Sequence, residues 1–373
     1  MKDTPLLERL TVIVAALLIA AFAVALPIFP KQDFSVKERR ALALFPTLRA
    51  ESLLDGRFFL EITSYYTDHF PLRGHFTALK AATERALGKQ ENNAILFAEN
   101  GYLIARGEYS DLSVATRNLE AIRVLTETVK LPVTVSILPR AVDVMTAYLP
   151  HGYDGTRAEE IGTLIDEALP QNAEVTPALR EAASRGELVF YRTDHHWTTK
   201  GAYLAYLALA PSLGIEPYTA KHFTPMTVTE EFLGTSFARS GLSSTSPDTI
   251  TLYRYEGDDC YTVTNGESEV SLYDRDALSG DDPYEVFLGG NYARLSVTDE
   301  AHPEKPTLLL FKDSFANALV PFLALHFQLV LVDPRYEQAS ATAMIEDIRP
   351  DRVLILFGAD TVATTPTLTR LGR

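Results

Sequence analysis

Thr307-Leu308-Leu309-Leu310-Phe311-Lys312-Asp313-Ser314-Phe315 is an apolar run that stops at three polar residues, and an apolar pattern resumes over 316–327. A short continuous apolar run bounded by polar residues reads as a buried strand, and the longer pattern after it reads as a helix. Ser314 is then expected on a strand-to-helix turn, where a side chain stands exposed at the end of a sheet. Further strands are expected at 132–138, 188–191, 329–332 and 352–357, alternating with helices at 111–129, 158–168, 198–213 and 339–348. That alternation predicts an α/β fold in which a parallel sheet is covered by helices. Between 217 and 306 the pattern changes to short strands, such as 249–255 and 286–288, among Gly, Asp and Ser clusters, and predicts a β-rich insertion.

Thr193-Asp194-His195-His196-Trp197 supplies what a serine lacks. A hydroxyl attacks an ester only when a neutral imidazole takes its proton and a carboxylate fixes the imidazole tautomer. If 189–196 is extended, residues two apart share a face, so Asp194 and His196 point together and His195 points away. His196 is then the base and Asp194 its orienting acid. Two other readings of the cluster stand beside this one: a polar cap on the helix that follows, and a metal-ligand set of Asp194, His195 and His196. The metal reading lacks an H-E-x-x-H segment or a paired Asp-x-Asp or His-x-His elsewhere in the chain.

At 373 residues with 46% hydrophobic content the chain can bury a full core. A net charge of −15 with no basic stripe argues against nucleic acid as a partner. The single cysteine, Cys260, permits no intrachain disulfide. Residues 10–29 run without a charge, long enough to cross a bilayer once, and are expected to act as a signal-anchor with the rest of the chain exported. Lys2 and Arg9 lie on one side of the run and Lys31, Lys37, Arg39 and Arg40 on the other, so charge does not set its orientation. The expected organisation is an anchor and linker at 1–31, a helical lead-in at 32–94 interrupted at Pro71, and a catalytic domain at 95–373 containing the 217–306 insertion. Asn100-Gly101, between two short apolar runs, predicts a hairpin near its start.

The strings 193–197 and Lys312-Asp313-Ser314-Phe315-Ala316-Asn317, followed by Pro321-Phe322-Leu323 and His326-Phe327, resemble the DHHW protein family, itself similar to the alginate O-acetylation proteins with SGNH-hydrolase-like domains. Asp68-His69-Phe70-Pro71, Gly101-Tyr102-Leu103-Ile104, Gly234-Thr235 and Leu288-Gly289-Gly290-Asn291-Tyr292 extend the likeness along most of the chain after the apolar segment. The resemblance implies an SGNH-hydrolase-like, flavodoxin-like parallel sheet with helices on both faces. It makes Ser314 the nucleophile, His196 the base and Asp194 its partner, with Asn291 and the Ser314 backbone N–H stabilising an oxyanion. Trp197, Arg140 and Gly290 are expected near substrate. Lys312 stands where the SGNH pattern has glycine, and its ammonium is expected either to crowd the oxyanion side or to reach solvent. The implied activity is O-acetyl transfer to or from a cell-surface polysaccharide, or its hydrolytic counterpart, outside the cytoplasm, with no cofactor and no metal. The implied acetyl donor arrives through a multipass membrane acyltransferase. A non-catalytic glycan-binding scaffold with the same fold is the competing class.

Overall fold

Leu308 and Leu310 alternate with Leu309 and Phe311, and the alternation divides the core into two. The computed structural model describes residues 6–35 and 40–373. Thr307–Lys312 is an inner strand of a seven-stranded sheet made of β1 (Val133–Leu138), β2 (Thr262–Thr264), β3 (Glu269–Val270), β4 (Arg294–Thr298), β5 (Thr307–Lys312), β6 (Gln328–Val332) and β7 (Arg352–Gly358). Their spatial order is β3-β2-β4-β6-β5-β7-β1. Because side chains alternate across a strand, Leu308, Leu310, Leu354 and Leu356 pack on one face with the helices Thr176–Ser184, Thr199–Leu213 and Val320–Ala324. Leu309, Phe311, Val353 and Ile355 pack on the other with Ser113–Thr128, Thr156–Ala168 and Ala341–Ile348.

The sheet is mixed rather than wholly parallel. β6, β5, β7 and β1 run parallel, whereas β4, β2 and β3 join antiparallel. These three come from the segment expected as a separate insertion. β4 is covered at alternate residues only, while β5 is buried along nearly all its length, which is the difference between a half-solvated antiparallel strand and a strand enclosed by helices. The rest of the segment forms its own antiparallel pair, Thr224–Phe232 with Asp248–Arg254. The strand expected at 286–288 is a 3₁₀ turn, Pro283–Val286, with one isolated bridge from Phe287 to Tyr273, because Pro283 starts the turn and the Asp282 side chain caps it. The strand expected at 188–191 likewise stays outside the sheet: Phe190 bridges Trp197, and the chain doubles back through Tyr191 N–H to His196 O and Thr198 N–H to Val189 O.

The hairpin at Asn100-Gly101 joins Ile95–Phe97 to Leu103–Ala105, both turn residues having positive φ.

The chain divides into two compact units, Met1–Lys89 with Gly241–Ser243, and Gln90–Ser240 with Ser244–Arg373. The first contains the apolar helix Leu6–Ile28, long enough and apolar enough over Glu8–Ile28 to be a membrane span or a signal segment. It also holds the helices Ala50–Leu54, Arg57–Asp68 and Arg73–Ala86, the last two separated at Pro71 as expected. Residues 40–49 are not helical, and Arg40–Ala41 pairs with Phe34–Ser35 instead. Of the residues weighed above, Lys2, Lys37 and Arg39 lie outside the described segments.

Leu310 is fully buried at the centre of β5. Leu310→Ala is expected to lower unfolding free energy by about 2–5 kcal/mol through lost burial and a residual cavity, read as a shift of the denaturant midpoint.

Candidate active site

The end of β5 sets up Ser314. Asp313 leaves the strand in an extended conformation, and its carboxylate accepts from Phe315 N–H (3.0 Å) and, on the neighbouring β7, from Gly358 N–H (2.8 Å). Asp313 therefore caps the turn that follows, and the Ser314 hydroxyl is not consumed by capping. That turn is a short 3₁₀ segment, Ser314–Ala318, followed by the helix Val320–Ala324, where a single helix was expected over 316–327. Pro321 accounts for the break: it has no N–H to donate, and its ring crowds the carbonyl of Asn317 four residues earlier.

The acid–base segment reaches the same side by a different route from the one its spacing suggested. Residues 192–196 form bends, not a strand. Asp194 Oδ1 accepts from both the backbone N–H (2.9 Å) and Nδ1 (2.6 Å) of His196. That leaves His196 Nε2 as the acceptor for the Ser314 hydroxyl at 2.8 Å. Asp194 Oδ2 accepts from Thr235 N–H (2.7 Å) and Thr235 Oγ1 (2.8 Å). With its hydroxyl proton directed at Asp194, Thr235 Oγ1 accepts from His195 Nδ1 at 2.7 Å. His195 does not point away: the two imidazole centroids are 3.8 Å apart.

Gly234 makes this approach possible. A Cβ there would lie 2.2 Å from Asp194 Cβ, closer than any real contact. The loop is fixed from behind by Asp248, whose carboxylate accepts from Thr193 N–H and Thr193 Oγ1, both at 2.7 Å. The antiparallel pair whose second strand begins at Asp248 is thus a support for the site rather than a separate appendage.

Tyr284, which no spacing in the sequence singled out, lies flat on the His196 ring at 3.9 Å and 7° and reaches Ser314 O at 3.4 Å. Thr235 was legible only as part of a short Gly-Thr match, without a role. Both are buried or half-buried. Burial raises a carboxyl, yet the two imidazoles and their hydrogen bonds hold Asp194 well below the usual carboxylate range. Burial, helped by the neighbouring His195, pushes His196 below the ordinary histidine value against the pull of Asp194. For His195 burial acts downward too, but Asp194 wins and draws it upward. At neutral pH His196 is consequently an uncharged imidazole whose Nε2 lone pair accepts from the Ser314 hydroxyl, and Asp194 is ionised.

The other residues singled out in the sequence divide clearly. Trp197 is 0% exposed and donates Nε1–H to Phe315 O at 2.9 Å. It braces the serine turn and has no face open to a sugar. Arg140 is buried, its guanidinium shared among Asp143, Ala158 O and Gly107 O. Arg140 occupies the N-cap position of the short helix Ala141–Val144, its backbone N–H donating to Asp143 Oδ2 at 2.8 Å, and its guanidinium has no free fork for an anion. Asn291 is exposed, and its side-chain oxygen lies 3.3 Å from Lys312 Nζ and 3.5 Å from Asn317 Nδ2. Gly290 is buried, has φ 116°, and its carbonyl accepts from Asn317 Nδ2 at 3.2 Å. Lys312 does not reach solvent: it is buried, donates to Asn317 Oδ1 at 2.5 Å, and has its ammonium 3.3 Å from Asn291 Oδ1. Burial brings it down to about 8 despite Asp333 and Asp313 nearby. Lys312 and Asn317 together hold the Gly-Gly-Asn loop against the serine turn.

A small recess opens beside these groups, lined by Pro139 and Arg140 after β1, Phe315 after β5, and Gly358 and Asp360 at the end of β7, with Asp194 and His195. Ligands in open α/β sheets bind at such carboxyl ends. Asp194, His195 and His196 offer ligand atoms within 4.8 Å of one another. The donor set is poor for a cation, because the four hydrogen bonds to Asp194 already use the acceptor sites of a carboxylate. His196 is engaged at both nitrogens.

The model of the family described as DHHW protein matches residues 178–333, so the resemblance read from 193–197 and 312–317 holds. In sequence, the chain is 23% identical over 180 residues to the probable alginate O-acetylase AlgJ of Pseudomonas fluorescens, covering 45% of this chain and 46% of that protein. The corresponding protein of Azotobacter vinelandii is 24% identical over 189 residues, 47% of each. The chain therefore spans about half the length of these relatives. In structure, a DHHW family protein from Eubacterium siraeum superposes with a TM-score of 0.61 at 24% identity, covering 75% of this chain and 95% of that one. Bacillus cereus PatB1, solved with a sulfonyl adduct, superposes at 0.59 and 19% identity, covering 73% and 97%. These likenesses establish the α/β fold.

The opposite shifts of the two imidazoles are measurable. In a histidine NMR titration, His196 is expected to titrate below pH 6.5 and His195 above it, and His195→Gln is expected to move the His196 midpoint upward by removing a like charge. A His196 midpoint above 6.5 that ignores the substitution would contradict this electrostatic account.

Proposed function

We propose that the chain is a membrane-anchored, extracytoplasmic acyl-transfer enzyme of SGNH-hydrolase-like fold that moves an acetyl group to or from a cell-surface polysaccharide. The observation that carries this reading is the continuous hydrogen-bond chain from Ser314 Oγ through His196 to Asp194, at 2.8 and 2.6 Å. AlgJ relatives named as probable alginate O-acetylases support the acetyl group and a polysaccharide of that kind. The domain organisation follows the same reading, with an anchor at 1–31, a helical lead-in at 32–94 and the catalytic domain at 95–373.

In this mechanism His196 Nε2 takes the Ser314 proton as Oγ attacks the acetyl carbonyl. Asp194 holds the Nδ1–H tautomer and stabilises the imidazolium that forms. Stacking on Tyr284 keeps the ring in plane while its charge changes. The tetrahedral oxyanion faces the Ser314 N–H, which as the first residue of its turn has no partner within that turn. Asn291, on the loop held by Lys312 and Asn317, is the side-chain candidate for a second donor. Preorganised donors of this kind lower barriers because they need no reorientation as charge develops. His196 then returns its proton to the leaving group. A sugar hydroxyl, deprotonated in turn by His196, attacks the acyl-serine; the second tetrahedral intermediate expels Ser314 Oγ, which takes the proton back from His196, and water in place of the sugar gives the esterase with the same residues. Transfer is the reading preferred here. The acetyl donor reaches the site from a multipass membrane acyltransferase, and no cofactor enters the cycle.

The test is turnover of an activated acetyl ester in the presence of an alginate oligosaccharide. Wild type is expected to release the leaving group and acetylate the sugar, while folded Ser314→Ala loses on the order of a thousandfold or more in kcat/KM. Equal turnover by the two proteins would refute the serine mechanism, and ester cleavage without sugar acetylation would assign hydrolysis.

A further inference from the structure

The helix Arg57–Asp68 is amphipathic and has no buried residue. Phe59 is 59% exposed, Leu60 72% and Tyr66 42%. On the next helix, Arg73–Ala86, Phe76 and Leu79 are exposed as well, at 46% and 63%. Between the two helices lies an open groove of about 610 Å³, lined in part by Tyr66, Phe70, Arg73, Phe76 and Lys80. Scattered apolar residues on a surface need no explanation, but three exposed aromatic residues, Tyr66, Phe70 and Phe76, lining one groove along two helices and the turn between them call for a cover.

The apolar helix Leu6–Ile28 indicates what that cover is. Its Phe22 stacks on Phe70 with ring centroids 4.9 Å apart and meets Phe76 edge-on at 5.9 Å. Phe22 lies six residues before Ile28, which is about 9 Å of helix. If that helix spans a bilayer, whatever packs against Phe22 is about 9 Å inside the end of the span. Amphipathic helices that lie in a membrane interface bury their apolar face about 5–10 Å deep. The depth fixed by the Phe22 contacts and the depth such a helix needs are the same. Arg73 and Lys80 line the groove beside the aromatic rings, and long basic side chains of this kind lay their stems on apolar surface while their charges sit among headgroups.

We propose that Arg57–Asp68 and Arg73–Ala86 form a second, monotopic membrane contact, with Phe59, Tyr66, Phe70, Phe76 and Leu79 seated in the outer acyl-chain region of the bilayer beside the Leu6–Ile28 span. The proposal rests on reading that helix as a span. Two contacts hold the unit on the membrane in one orientation, where a single helix leaves it free to swivel about the span.

The full chain reconstituted in vesicles of phosphatidylethanolamine and phosphatidylglycerol tests it. Cys260, the exposed free cysteine, is replaced by Ser, and single cysteines carrying an environment-sensitive fluorophore are introduced as Phe59→Cys, Tyr66→Cys, Leu79→Cys, Leu18→Cys and Glu181→Cys. The labels at 59, 66 and 79 are expected to be quenched by lipids brominated in the upper acyl chain and to lose quenching by aqueous iodide. The label at 18 reports the span, and the label at 181 reports water. If the label at 18 meets lipid while those at 59, 66 and 79 remain iodide-accessible, the second contact is refuted and the span stands. If the label at 18 does not meet lipid, the span reading fails and takes this proposal with it. Labels at 59, 66 and 79 shielded from both quenchers would assign the face to another protein surface and overturn the lipid assignment.

Discussion

A buried carboxylate has to be satisfied, and in this protein Asp194 is the one around which the site is built. An isolated ionised carboxylate in an apolar interior costs many kcal/mol unless it is paired and hydrogen-bonded. Asp194 meets that demand with four donors from two segments: the backbone and ring of His196, and the backbone and hydroxyl of Thr235. Each donor is also a positioning device. The pair from His196 folds the 192–196 bend and fixes the imidazole tautomer, and the pair from Thr235 ties in the segment that follows the Thr224–Phe232 strand. The close approach needs Gly234, because a side chain there would occupy the space of Asp194 itself.

The sheet supplies the other half. β5 ends beside β7, and Asp313 joins the two by bonding Gly358 N–H, so the turn that presents Ser314 is pinned to two parallel strands at once. Trp197 donates to Phe315 O and binds the 193–197 loop to the same turn. The 2.8 Å contact between His196 and Ser314 thus joins two segments that Trp197 also ties together. The antiparallel pair whose second strand begins at Asp248 and the loop carrying Tyr284 come from the stretch between β1 and β5 in the chain, which is why a region resembling an insertion in the sequence bears on the site.

Much of this was legible in the residues themselves. The unbroken apolar run before Lys312 gives an enclosed strand, its neighbours at 132–138, 329–332 and 352–357 give the parallel half of the sheet, and residue chemistry singles out Ser314, His196 and Asp194, which the fold brings within hydrogen-bond distance. The strand geometry assumed for 189–196 does not occur. Asp194 and His196 meet because an aspartate side chain bonds the backbone two residues on, an alternative to extension that the same residues permit. Lys312 is harder to place because a lone lysine in a polar stop gives no hint of a buried partner, and its partner Asn317 lies in the 3₁₀ turn that stands where the start of the helix at 316–327 was expected. Trp197 and Arg140 illustrate the converse: residue types suited to binding a sugar or an anion are consumed by bracing and capping. Tyr284 depends wholly on tertiary contact, since nothing in Asp282-Pro283-Tyr284 marks a ring stacked on an imidazole more than eighty positions away.

The most direct measurement is covalent labelling of the full chain with a small sulfonyl fluoride, followed by intact mass and peptide mapping, in wild type and in His196→Ala. An activated serine predicts one sulfonyl group on Ser314 in the wild type and its loss when His196 is removed. A folded protein that leaves Ser314 unmodified, or labels it equally without His196, would contradict the account.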